Sequence, residues 1–202
     1  MLKIAILISG GGSNMESILD GVDSGYLNNI EVVKVISDRE ARGIDKAKKR
    51  GMETLVLDRK IYKNALSDKI LEVLENEVDY IVLAGFLSII EGNLIKKFEN
   101  KIINIHPSLI PSFCGEGMYG MNVHRAAIDK GVKFSGCTVH FVNEEVDAGA
   151  IIMQEVVEVL EDDTPEILQK RILEKEHNIL PKVLKLLSEK DVVVTDNKVK
   201  IL

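Results

Sequence analysis

An amide and an imidazole stand two residues apart at the end of an apolar run in the middle of the chain. The run is Ile102 to Ile105, with Asn104 inside it, His106 directly after it and Pro107 next. Side chains at i and i+2 of a strand share a face, and Pro107 favours the end of the strand there. An amide can stabilise an oxyanion and an imidazole can exchange protons near neutral pH, so the pair suits acyl-type transfer. The alternative is a pair that only caps backbone groups.

Asp147 is the third candidate, in an acidic turn between two strand-like segments. A carboxylate beside an imidazole favours the imidazolium and raises the imidazole pKa, which suits a proton donor to a developing oxyanion. Acidic turn residues are commonly solvated, so the sequence leaves both interpretations of Asp147 open.

A glycine run, SGGGSN, separates the first apolar segment from a helical pattern. Glycines at a strand-to-helix turn let backbone N–H groups approach an anion, so Gly12, Ser13 and Asn14 form a candidate phosphate cradle. A dinucleotide fingerprint is the first alternative, which Asp38 after the second strand favours, although Met15 stands at the position of the third glycine. The other alternative is a tight turn in which Ser13 or Asn14 only caps the helix.

The spacing of apolar residues predicts the elements that must position these groups. Strands are predicted at 3–9, 32–36, 54–57, 80–84 and 102–105, and helices after the glycine run and near 41–50, 65–75, 93–99 and 123–130. The alternation predicts an α/β fold, a mostly parallel central sheet with helices on both faces.

The second half of the chain changes pattern. Strand-like runs at 135–142 and 151–157 predict an antiparallel pair. A long helix is predicted from Pro165 to about Glu189, kinked or broken near Pro181, followed by a small hairpin at 192–201. No linker divides the chain, so we expect a single domain over residues 1–202, with a phosphate-binding half at 1–100 and, from the family resemblance given below, a folate-binding and catalytic half at 101–202.

Composition and charge narrow the range of possible functions. The 202 residues are 46 % hydrophobic and carry a formal charge of −6, which argues against a nucleic-acid partner. No apolar run is long enough for a signal peptide or a membrane span, so we expect a cytoplasmic protein with no membrane partner. Cys114 and Cys137 are expected to be free thiols, and four scattered histidines make a metal site an unfavoured interpretation. His124 is interpreted as a surface residue and His140 as a structural one.

Four motifs then resemble one family when they are taken together. SGGGSN, NIHPSLIPSF, GCTVHFVNEEVDAGAII and the EH pair of the last helix resemble, in order and spacing, the glycinamide ribonucleotide formyltransferases of the folate-dependent purine pathway. The resemblance implies a Rossmann-like formyltransferase fold. It also implies transfer of a formyl group from 10-formyltetrahydrofolate, as cosubstrate and without a metal, to the amine of glycinamide ribonucleotide, by a monomer or homodimer.

The resemblance also implies roles for individual residues. His106 is the proton donor, Asn104 the oxyanion partner and Asp147 the group that raises the imidazole pKa. Gly12, Ser13 and Asn14 correspond to the phosphate-holding positions, and Glu176 to a residue near the substrate ribose. The folate positions are Leu87, Ser88, Ile89 and Ile90, which line the pterin pocket, and Lys63, which meets the glutamate tail.

Two features depart from the family pattern. Ser88 stands where many members have Arg or Lys, and the glycine-rich segment 115–120 is long, so that Met118 and Tyr119 either close over substrate or stay exposed. The alternatives within the same chemistry are a formyltetrahydrofolate hydrolase or another formyltransferase that uses the same donor. From a different class, the alternative is a non-catalytic nucleotide-binding module.

Overall fold

The first apolar run forms the central strand, and the rest of the sheet is built out from it. The computed structural model describes residues 1–202. Its strands are β1 (Leu2–Ile8), β2 (Ile30–Ser37), β3 (Thr54–Val56), β4 (Tyr80–Leu83), β5 (Ile102–His106), β6 (Phe134–Phe141), β7 (Ile151–Glu158), β8 (Val192–Thr195) and β9 (Lys198–Ile201). All the predicted strands are present.

Seven α-helices connect and cover these strands. They are α1 (Ser13–Asp23), α2 (Arg42–Lys49), α3 (Arg59–Tyr62), α4 (Leu66–Leu74), α5 (Asn93–Lys97), α6 (Met121–Lys130) and α7 (Pro165–Glu189), with a 3₁₀ turn at Lys63–Ala65. None of them combines the length and the apolar character that crossing a membrane requires.

One sheet of nine strands runs in the order β3-β2-β1-β4-β5-β6-β7-β9-β8. The first five strands in that order are parallel, so their carboxyl ends meet at one edge. Strand β6 is antiparallel to β5, with His140 directly opposite Asn104 and Thr138 opposite His106. The predicted Rossmann-like α/β fold, with antiparallel strands in the C-terminal half, is confirmed.

Both faces of the central strands are buried. Ile4, Ile6 and Ile8 of β1 point into one apolar core, and Ala5 and Leu7 point into the other. The larger core also contains the apolar faces of α1 and α7, and the smaller one contains those of α4 and α5. Burial on both faces explains the nearly continuous apolar run of β1, which shows no alternation.

Helix α7 begins as the sequence predicts, and the break predicted as one alternative near Pro181 does not occur. The Thr164 side chain accepts a hydrogen bond from the backbone N–H of Ile167, and Pro165 occupies the first turn. The helix continues through Pro181 to Glu189. An interior proline costs about 3 kcal/mol, but buried side chains on both sides, among them Leu180 and Val183, hold the last turns against the core.

The C-terminal hairpin extends the sheet beside the loop that carries Asp147. Its turn residues, Asp196 and Asn197, both have positive φ, as a two-residue hairpin turn of type I′ requires. The side-chain amide of Asn197 donates to the Ala148 carbonyl at 3.1 Å. The hairpin therefore contacts the loop that carries Asp147.

Gly43→Ala should destabilise the fold, because Gly43 packs closely against the glycine run. The N–H of Gly43 donates to the Gly10 carbonyl at 3.0 Å, and a Cβ at Gly43 would collide with the Ile8 side chain and lie 3.0 Å from that carbonyl oxygen. We expect a loss of about 1–3 kcal/mol in the free energy of unfolding, as for other overpacked sites. Urea denaturation measures it.

Gly10→Ala is the matched control, because a Cβ there meets no atom within 4 Å. Equal urea midpoints for the two variants would show that the close approach of Gly43 to the glycine run contributes nothing to stability.

Candidate active site

A cavity of about 780 Å³ opens where the carboxyl ends of β4 and β5 meet the amino end of α1 and the side of α7. Its wall includes Asn104, His106 and Asp147 from the second half of the chain and Asn14 from the first half. The residues expected to do chemistry therefore surround one space, and both halves of the chain contribute to it.

The Asn104 side chain is oriented by a histidine on the neighbouring strand. Its Nδ2 lies 3.1 Å from Nε2 of His140, and Nδ1 of His140 lies 2.8 Å from the Phe141 carbonyl oxygen. Because a carbonyl only accepts, Nδ1 carries the proton and Nε2 of the neutral ring accepts from Asn104. Burial lowers the pKa of His140 and keeps the ring neutral. The second amide hydrogen of Asn104 is left for a ligand.

His106 lies between two oxygen acceptors. Its Nε2 is 2.9 Å from the Phe113 carbonyl oxygen, and its Nδ1 is 3.4 Å from Oδ2 of Asp147. A ring nitrogen donates to the oxygen that it faces only when it carries a proton. The backbone N–H of Gly115 donates to the same Asp147 oxygen at 3.0 Å, and Oδ1 of Asp147 lies 3.8 Å from Nε2 of His140. Asp147 is thus held among the site groups and is not a solvated turn residue.

The glycine run leads into α1, of which Asn14 lines the cavity, whereas Gly12 and Ser13 are not among the cavity residues. Gly12 has φ +73°, and α1 begins at Ser13 with no side-chain cap, which excludes the interpretation of Ser13 or Asn14 as a simple capping residue. Asn14 and Glu176 are both buried, and Nδ2 of Asn14 donates to Oε2 of Glu176 at 2.7 Å. Oδ1 of Asn14 has no hydrogen-bond partner. Burial raises the pKa of Glu176 to about 7, against the opposing effect of the Asn14 hydrogen bond.

The segment Leu87–Ile90 lines the cavity after β4, as the resemblance implied for the pterin wall. Lys63 is exposed and is not among the cavity residues, so its contact with a folate tail stays a prediction. Asp38 is fully buried, and its oxygens accept hydrogen bonds from Arg39 and Ser88. Because the Asp38 carboxylate is buried, it is not free to bind a ligand, and Asp38 no longer favours the dinucleotide-binding alternative.

The interpretation of His124 as a surface residue is wrong. The side chain is 2 % exposed and lines the cavity, because α6 turns the first-turn position inward, below the segment 115–120. Burial, with a smaller effect of His106, lowers its pKa to about 4, so the ring is neutral. Met118 and Tyr119 also line the cavity, with Tyr119 59 % exposed, and their closure over substrate stays a prediction.

The cavity wall contains acidic side chains but neither Lys nor Arg. The acidic residues are Glu116, Glu144, Glu145, Asp147 and Glu176. An anionic group of a ligand must therefore be bound by backbone N–H groups or by a helix start, and α1 offers both.

Sequence reasoning missed the part played by His140. The signal was present in the alternation of β6, since Thr138 and His140 share a face in the same way as Asn104 and His106. Only the register of β5 with β6 shows that these faces coincide.

Fold and site define the class of protein. The profile of the family described as Formyl transferase matches residues 2–184, and the chain belongs to the formyl transferase family. Within that family it groups with the phosphoribosylglycinamide formyltransferases. The phosphoribosylglycinamide formyltransferase of Haemophilus influenzae is 40 % identical over 98 % of this chain and 92 % of its own length. The crystal structure of glycinamide ribonucleotide transformylase 1 from Symbiobacterium toebii superposes with a TM-score of 0.93 at 42 % identity, covering 100 % of this chain and 94 % of the other.

Other relatives are longer than this chain. The trifunctional purine biosynthetic protein adenosine-3 of Bos taurus is 44 % identical over 96 % of the chain, which spans 19 % of that protein. The chain spans 64 % of the chloroplastic phosphoribosylglycinamide formyltransferase of Arabidopsis thaliana. A formyltetrahydrofolate deformylase from Pseudomonas syringae superposes with a TM-score of 0.86 at 28 % identity over 100 % of this chain and 66 % of the other.

Glu176→Gln should change stability in a pH-dependent way. The folded protein keeps a proton on Glu176 up to about pH 7, whereas the ordinary value is 4.5, so the wild type loses stability as the pH rises from 4.5 to 7. Glutamine does not ionise. We expect E176Q to gain nothing over wild type below pH 4.5 and about 2–3 kcal/mol above pH 7, as measured by urea denaturation at both ends.

The exposed Glu174, two residues earlier on the same helix, supplies the control variant E174Q. A gain of E176Q that is equally large at pH 4.5 and pH 8 would contradict the link between its burial and its protonation.

Proposed function

We propose that this protein transfers the formyl group of 10-formyltetrahydrofolate to the amine of glycinamide ribonucleotide, a step of purine biosynthesis. The observation that carries the proposal is the convergence of Asn104, His106 and Asp147 on a cavity whose far end is the start of α1. The names of the relatives point to the same reaction. A non-catalytic binding module would not require three such groups in one wall.

The reaction needs no covalent bond to the protein. The amine nitrogen attacks the formyl carbon, and the carbonyl electron pair moves to the oxygen. Asn104 and His106 each donate a hydrogen bond to this oxyanion, and both keep their protons when the carbonyl re-forms. Collapse of the intermediate re-forms the carbonyl and expels the folate nitrogen, which takes up one proton while the amine loses one. Asp147, through a bound water, carries that proton between the two nitrogens.

The ligands are assigned to opposite ends of the cavity. Backbone N–H groups of Gly12, Ser13 and Asn14 bind the ribonucleotide phosphate, since the wall has no cationic side chain. Glu176 accepts hydrogen bonds from ribose hydroxyls. The donor lies against Leu87–Ile90, and its glutamate tail must leave the cavity to reach Lys63.

The Phe113 carbonyl adds one requirement to this mechanism. The Phe113 carbonyl oxygen lies 2.9 Å from Nε2 of His106. For this nitrogen to donate to the oxyanion, the segment around Phe113 must first release that hydrogen bond. Most of the acceleration then comes from placing two ligands together and from oxyanion stabilisation.

Hydrolysis of the same donor is the second candidate function, favoured by the likeness to the Pseudomonas syringae deformylase. The two functions share the catalytic groups and differ in the nucleophile, an amine or water. Formate release from 10-formyltetrahydrofolate without glycinamide ribonucleotide, measured against formylated product with it, separates them. We expect product to form only when the amine substrate is present, and formate release at the same rate without it would favour hydrolysis.

His106→Ala and Asp147→Asn should each lower kcat by about 10²–10⁴-fold, the usual contribution of a positioned acid or base. The dissociation constant for glycinamide ribonucleotide, measured calorimetrically, should stay within about twofold of wild type, because the phosphate end of the cavity is untouched.

His177→Ala is the matched histidine control, because His177 is half-buried on α7 and is not part of the cavity wall. Turnover close to wild type in H106A or D147N would exclude the assigned roles.

A further inference from the structure

The segment Leu87–Ile90 is tied to the rest of the fold at three points, each through a serine. The N–H of Leu87 donates to Oγ of Ser9 at 2.8 Å, directly after β1. The N–H of Glu91 donates to Oγ of Ser67 at 3.1 Å, on α4. Between these anchors, Oγ of Ser88 donates to Oδ2 of Asp38 at 2.6 Å. The first two contacts hold the ends of the segment, and the third holds its middle.

Asp38 is an unusual partner for a loop serine because it is fully buried and charged. Burial raises the pKa of Asp38. The hydrogen bonds from Arg39 and Ser88 together lower it by a larger amount, so the net pKa lies below the ordinary value of 3.8. Arg39 binds it through Nε at 2.8 Å and through a terminal nitrogen at 2.7 Å. The arginine backbone is held in turn by Oγ of Ser37, which donates to the Arg39 carbonyl at 2.7 Å. The acceptor that Ser88 binds is therefore rigid.

The segment that these contacts hold presents apolar surface to the cavity. Leu87 is 46 % exposed and Ile89 is 67 % exposed, and both line the cavity, whereas Ile90 points into the smaller core. Large apolar side chains left exposed beside a cavity fit a flat, partly apolar ring. Such a ring is bound well only if the wall is already ordered, because ordering it on binding costs free energy.

We propose that Ser88 is a positioning residue for the formyl donor, acting through its hydrogen bond to Asp38 to hold the wall Leu87–Ile90 in its binding conformation. The inference rests on the proposed function for the identity of the donor. It also gives Ser88 a role in a family position that many members fill with a cation: here the side chain turns inward to a buried carboxylate and offers no charge to the ligand.

Ser88 is a cleaner probe of this wall than Ser9. Ser9 directly precedes the first glycine of the glycine run, and its hydroxyl holds one end of the wall by accepting from the N–H of Leu87, so a substitution there would affect both ends of the cavity. Without the Ser88 hydroxyl, Asp38 keeps both hydrogen bonds from Arg39. Ser88→Ala therefore leaves no unpaired buried charge, and we expect it to fold.

The test compares wild type with Ser88→Ala and Ser88→Thr in the full chain. We expect S88A to raise KM for 10-formyltetrahydrofolate about tenfold to a hundredfold, close to the range for loss of one hydrogen bond to a charged group. KM for glycinamide ribonucleotide should not change. S88T keeps the hydroxyl and should restore KM for the donor. Hydrogen exchange should speed up at the amides of residues 85–91 in S88A alone.

Ser188→Ala is the matched control, since Ser188 bonds only the Lys185 carbonyl within its own helix and lies outside the cavity wall. The proposal is overturned if S88A matches S188A in donor KM and in exchange at 85–91, if both substrates' KM values rise together, or if S88T behaves as S88A does. Absence of formyl transfer in wild type would instead overturn the proposed function, and the exchange measurement still reports on the contact.

Discussion

The antiparallel pairing of β5 with β6 is the constraint on which the site depends. It sets His140 opposite Asn104, and the neutral His140 ring accepts one amide hydrogen and leaves the other directed to a ligand. Strand β6 ends beside the start of β5, with Phe141 opposite Ile103, and the loop after β6 places Asp147 next to His106. In a parallel arrangement β6 would run in the opposite direction, and His140 would not lie opposite Asn104 in this register.

The parallel half of the sheet supplies the other ligand surfaces for a different physical reason. Parallel strands bring all their carboxyl ends to one edge, where loops with free backbone groups collect. The glycine run after β1 and the wall Leu87–Ile90 after β4 are adjacent at this edge. Ser9 directly precedes the first glycine of the glycine run, and its hydroxyl accepts a hydrogen bond from Leu87 of the wall. The buried Asp38 helps to order this edge, because a buried carboxylate needs hydrogen-bond donors and the Ser88 hydroxyl of the wall is one of them.

The acidic cavity wall determines which groups can bind an anionic ligand. A wall with five carboxylates and no cation leaves anion binding to the start of α1. Burial lowers the pKa values of His124 and His140, so both rings are neutral. His106 differs from them in that it faces the Phe113 carbonyl oxygen and the Asp147 carboxylate.

The sequence by itself determined the elements and most of their order, since apolar runs, the glycine turn and the Thr164-Pro165 helix start are local signals. It also paired Asn104 with His106, because alternation along a strand is local too. The nearness of Asp147, the inward turn of His124, the part of His140 and the Ser88–Asp38 contact were decided only by the tertiary structure. Each depends on strand register or on which helix face is covered, and such contacts join residues tens of positions apart, which no local pattern encodes.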